Sequence, residues 1–110
     1  NNNNLLKTIL DLDDGSRYVG EFAFGINPHV KNFINDILFD EKMCGSLHMA
    51  LGNAYDDCFN GNTSALHWDL ILNQFSSFGG GEIWFDGVKI RENGLFILPE
   101  LVALNPENLV

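Results

Sequence analysis

Apolar and polar positions along the chain fall into short periodic runs separated by clear turn signals. Leu5 to Leu12 reads as a short helix, ended by Asp13-Asp14-Gly15. From Arg17 the period becomes two: Tyr18, Phe22 and Phe24 share one face, and Val19, Glu21 and Ala23 the other. Gly25-Ile26-Asn27-Pro28 breaks that strand, and the spacing then predicts a helix over Lys31 to Phe39, with Phe33 and Ile37 on its buried side. After Gly45 the alternation returns, with Leu47, Met49 and Leu51 opposite Ser46, His48 and Ala50. A polar stretch from Asn53 to Ser64 is a long loop, and loops of that length in a small domain are more often functional than idle. The next strand sets Leu66, Trp68, Leu70 and Leu72 against Ala65, His67, Asp69 and Ile71. The tail reads as three strands: Glu82 to Phe85, Val88 to Arg91 through an Asp86-Gly87 turn, and Leu95 to Leu98 after Asn93-Gly94. Together these predict an α+β fold: a β-rich domain with a mixed or antiparallel sheet, one or two short helices and a C-terminal β-meander.

A chain of 110 residues suits a single domain over residues 1–110 with one modest core. Its charge of −9, from 15 acidic and 6 basic residues, speaks against a nucleic-acid backbone as partner. No apolar run approaches the ~20 residues of a membrane span, so no membrane partner is expected. Two cysteines without secretory features point to a reduced, cytoplasmic setting.

The candidate chemistry lies on the strands. Residues two apart on a strand point the same way, so His67 and Asp69 aim an imidazole and a carboxylate at one place. Glu21 and His48 repeat the pattern, each on the face that carries the smaller residues, while the bulky side chains take the other face as core. If the three strands share a sheet, the four groups converge, and Glu41 stands near enough in sequence to join them. Ionised carboxylates gathered out of water ask for a cation, and imidazole nitrogen with carboxylate oxygen suits a divalent one. A plain His67–Asp69 hydrogen bond is the competing explanation. Tyr55, at the mouth of the long loop, reads as a structural tyrosine or as an oxyanion partner. Ser64 lacks a nucleophile elbow, Cys44 and Cys58 lack zinc-site spacing, and Gly79-Gly80-Gly81 precedes a strand rather than a phosphate-binding helix.

Several ordered blocks resemble the aminopeptidase T family, the thermophilic or leucyl aminopeptidases of the dinuclear metallopeptidase type. They are Gly20-Glu21, Leu38-Phe39-Asp40-Glu41, His48 to Tyr55, His67-Trp68-Asp69, Gly81 to Gly87 and Leu104 to Leu109. The resemblance implies that Glu21, Glu41, His48, His67 and Asp69 are metal ligands and that Glu21 bridges two divalent cations (zinc, cobalt, manganese or magnesium). It implies hydrolysis of the first peptide bond of peptides with a free N-terminus, by a water bridging the two cations. Tyr55 would stabilise the oxyanion, and Glu21 or Glu41 would handle the proton. It also implies a homodimer. The family has a further upstream glutamate ligand and an N-terminal domain, so the expectation is a C-terminal, metal-binding portion of a longer aminopeptidase that is inactive, or nearly so, by itself. The alternative is a non-catalytic metal- or peptide-binding module.

Overall fold

The computed structural model describes residues 1–109. Helix α1 spans Asn2–Leu10 and starts earlier than the apolar period suggests, because the Asn1 side chain caps it by accepting from the Asn3 N–H at 3.0 Å. None of its residues is buried. Strands β1 (Val19–Phe24), β2 (Ser46–Gly52) and β3 (His67–Asn73) form an antiparallel sheet in the order β1-β2-β3. Strands β4 (Glu82–Phe85), β5 (Val88–Glu92) and β6 (Leu95–Phe96) form a second antiparallel sheet. The fold class is the expected α+β, with the meander at the C-terminal end.

The expected helix over Lys31 to Phe39 shrinks to one turn, α2 (Ile37–Asp40). Asn35 takes the left-handed conformation (φ 61°), and Asp36 accepts from the Leu38 N–H, so local Asn and Asp chemistry starts the helix only there. Phe33, Ile37 and Leu38 are consequently exposed. The last strand also stops early. The Asn105 side chain accepts from the Phe96 N–H at 2.7 Å and donates to the Phe96 carbonyl at 3.0 Å, occupying the edge that a longer strand would use. Both tight turns behave as their sequences require: Asp86 and Gly87 (φ 50° and 80°), and Asn93 and Gly94 (φ 48° and 83°), are left-handed pairs of the type I′ kind.

Contacts divide the chain into two compact units, residues 1–23 with 48–70, and 24–47 with 71–110. In the first, the Asp13 carboxylate closes the long loop by accepting from the Gly15 and Ala65 N–H groups and from the Ser16 and Ser64 hydroxyls. Those bonds hold its pKa down at about 2. In the second, Met43, Cys44, Ile83, Ile90 and Phe96 make the core. Arg91, 1% exposed, runs through it. The guanidinium donates to the carbonyls of Gly94 (2.9 Å), Ser46 (2.6 Å) and Gly25 (3.5 Å) and lies over the rings of Phe24 and Phe96. Burial lowers its pKa to about 10.

One expectation about the first sheet is reversed. The face with the small and polar residues is the covered one: on β2, Ser46, His48 and Ala50 are buried, whereas Met49 is 40% exposed. On β3, Leu70 and Leu72 are 43% and 55% exposed. Bulk alone does not decide which face turns inward. Gly20 and Gly52 also let neighbouring backbone come close: a Cβ on Gly20 would lie 2.2 Å from the Gly52 carbonyl oxygen, and one on Gly52 would lie 2.1 Å from that of Leu66.

Candidate metal centre

The first unit brings together four of the five residues singled out as ligands. Glu21 extends from β1, His48 from β2, and His67 and Asp69 from β3, two residues apart on one face. Glu21, His67 and Asp69 each offer a ligand atom, and these atoms lie within 4.8 Å of one another. His67 Nε2 is 3.6 Å from Glu21 Oε2 and 3.4 Å from Asp69 Oδ1. These side chains are only 15–21% exposed. His48 joins through Glu21, its Nε2 standing 2.8 Å from Glu21 Oε1.

Two details make this more than a cluster of polar groups. His67 Nδ1 lies 2.8 Å from the backbone carbonyl of Asn53. A carbonyl only accepts, so Nδ1 carries the proton, and in the neutral ring Nε2 presents a lone pair toward the two carboxylates. Glu21 Oε2 and Asp69 Oδ1, the oxygens that face Nε2, are buried and have no hydrogen-bond partner among the described residues. An acceptor left unpaired out of water costs about 1–3 kcal/mol, and more when charged. Three lone-pair donors therefore surround one point with nothing between them to share.

A divalent cation fits that point. Ligand atoms about 2.0–2.1 Å from a zinc ion at tetrahedral angles stand about 3.3–3.4 Å apart. The two separations, 3.4 and 3.6 Å, lie at and just above that edge length. The His67–Asp69 separation of 3.4 Å is longer than the about 2.7–3.2 Å of an ordinary N–H···O hydrogen bond, and with the proton on Nδ1 the Nε2 atom has none to donate. The donors are imidazole nitrogen and carboxylate oxygen, and the imidazole is oriented through its other nitrogen, as metal-binding histidines usually are.

Tyr55 stacks on His67, with ring centroids 4.6 Å apart and planes inclined by 28°. It and Glu21 border a cavity of about 410 Å³ whose walls include Phe22, Ala23 and Cys58. Glu41 lies in the other unit, at the end of α2, where its carboxylate pairs with the Lys42 ammonium. His29 is at the surface turn expected of it, its N–H bonded to the Asn27 side chain. The Asn53 carbonyl had no signature in the sequence, since any residue supplies a carbonyl and only the fold aims it.

No curated protein and no solved structure matches the chain. Among protein-family models, that of the thermophilic metalloprotease (M29) family matches residues 1–95, most of the sequence. Metal-dependent peptide hydrolysis is the chemistry that description names, and a divalent metal the cofactor it implies. The chain belongs to the thermophilic metalloprotease (M29) family.

Proposed function

We propose that the chain carries the metal-binding part of an aminopeptidase, which removes the first residue from peptides with a free amino terminus using two divalent cations. The carrying observation is the triad of Glu21 Oε2, His67 Nε2 and Asp69 Oδ1, three unpaired donors around one point. On this reading those residues hold one cation, and His48 fixes Glu21 through Oε1 so that Oε2 stays aimed at it. Glu41 and His48 are assigned to the second cation on the family resemblance. When bound, the metals supply a nucleophile from water at neutral pH and polarise the scissile carbonyl.

The remaining roles fall to the chain's own groups. Tyr55, placed beside the centre by its stacking on His67, donates its hydroxyl to the developing oxyanion. Glu21 or Glu41 moves the proton from the water to the leaving amine. The ligand set carried over from the resemblance also calls for an upstream glutamate, and without it the 110-residue chain turns over little or no substrate.

The test is a zinc and cobalt titration of the chain by calorimetry, beside the variants His67→Ala and Glu21→Ala. Hydrolysis of leucine p-nitroanilide, and of its N-acetylated form, is measured on the full-length protein. Saturable binding lost in both variants, with cleavage only of the free-amine substrate, is expected. Binding without cleavage by the full-length protein gives the ground to the non-catalytic module. Binding that neither variant weakens removes the site.

A further inference from the structure

The proposed cation needs His67 to present a lone pair at Nε2, yet two carboxylate oxygens stand 3.4 and 3.6 Å from that nitrogen and favour a proton there. The Asn53 carbonyl opposes them by holding the proton at Nδ1. That competition turns on how firmly the carbonyl is placed. We infer that Asn62 is a positioning residue for the metal centre: it braces the Gly52-Asn53-Ala54 turn on both sides of the Asn53 carbonyl and thereby sets the His67 tautomer. The inference rests on the metal reading of Glu21, His67 and Asp69.

The bracing is explicit in the hydrogen bonds. The Asn62 side-chain amide donates to the Gly52 carbonyl at 2.6 Å and to the Gly15 carbonyl at 2.9 Å. Its backbone carbonyl accepts from the Ala54 N–H at 3.0 Å. One residue thus grips the peptide before Asn53 and the peptide after it. The turn's other groups are engaged as well: Gly52 N–H with Tyr18 O, Asn53 N–H with Leu66 O, and Ala54 O with the Asn53 side chain. The Asn53 carbonyl is left for His67.

The backbone around it leaves no slack. A Cβ on Gly20 would lie 2.6 and 2.7 Å from the carbonyl carbon and oxygen of Asn53, so β1 passes directly against that group. Gly52 has φ +98°, and a Cβ there would meet the Leu66 carbonyl, the residue next to His67. The turn is closely held, and Asn62 is the residue that bonds the peptides on both sides of Asn53 from across the loop.

The experiment reads the His67 tautomer in the metal-free chain from ring ¹⁵N shifts, and zinc affinity by competition with a chelating dye. In the wild-type chain Nδ1 carries the proton. Asn62→Ala moves the ring toward the Nε2-protonated form and weakens zinc by about 10- to 100-fold, the range for loss of an orienting group around a metal. Asn62→Ser, which keeps one donor, falls between. Asp13→Asn loosens the same loop at Ser64 and Ala65 and serves as the control: it lowers stability but leaves the tautomer and zinc affinity alone. A folded Asn62→Ala chain with wild-type tautomer and affinity overturns the inference. So does a wild-type ring protonated at Nε2, a result that needs no variant to fold. Absence of zinc binding in the wild-type chain with the tautomer still dependent on Asn62 overturns the metal reading and leaves the positioning role standing.

Discussion

Arg91 and the Glu21–His67–Asp69 cluster both take strongly polar groups out of water, and they finish the task differently. Around Arg91 three carbonyls accept and two aromatic faces stack, so the chain itself supplies the buried cation's partners. Around His67 Nε2 two carboxylate oxygens stand without a hydrogen bond among the described residues. The first arrangement is complete as built. The second leaves acceptors that the proposed cation would satisfy. A buried polar group thus reads as scaffold or as site according to whether the chain itself satisfies it.

Mutations separate the two regions. The largest effect is expected at Arg91→Met, which strips the Ser46, Gly94 and Gly25 carbonyls of their donor. A loss of about 3 kcal/mol or more, seen in urea unfolding, follows from leaving such acceptors unpaired. Next in size is the response to zinc. At one hundred times its dissociation constant a ligand adds about 2.7 kcal/mol, so the wild-type chain gains a clear rise in Tm on adding zinc and Asp69→Asn gains almost none. Smaller, and of opposite sign to Arg91→Met, is the effect of Asp69→Asn in the absence of metal. Removing an uncompensated carboxylate leaves stability unchanged or raises it by about 1 kcal/mol; a marked loss would mean the carboxylate is already satisfied.

The smallest effect concerns acid. The hydrogen bonds from Ala65 and Ser64 hold the Asp13 carboxyl down at about 2, against the ordinary 3.8 of an aspartate. A depressed folded-state pKa means stability that is fully present above pH 4 and lost as the pH falls from about 4 through 2. Asp13→Asn removes this part of the acid dependence, so the urea midpoints of wild type and variant converge below pH 2 and separate above pH 4. Parallel curves would contradict the assignment.

Much of the centre was legible because strand periodicity is a geometric rule: His67 and Asp69, two apart, had to share a face, and Glu21 and His48 followed by the same logic. The order of blocks carried the family. Periodicity failed where it was asked to say which face is inward, since the tight approaches at Gly20 and Gly52 are tertiary facts. It failed again over Lys31 to Phe39, where an apolar spacing suited to a helix was overridden by Asn35 and Asp36. Arg91 looked like an ordinary hairpin residue; its burial depends on carbonyls distant in the sequence, at Gly25 and Ser46. The Asn53 carbonyl and its Asn62 brace were invisible for the same reason.

The proposed cation held by Glu21, His67 and Asp69 is open to direct observation. Crystals of the chain grown with zinc, measured on both sides of the zinc absorption edge, test it most directly. An anomalous peak is expected about 2.0–2.2 Å from His67 Nε2 and from one oxygen each of Glu21 and Asp69. A crystal whose zinc sits elsewhere, with a water or a direct hydrogen bond joining those three atoms, would contradict it.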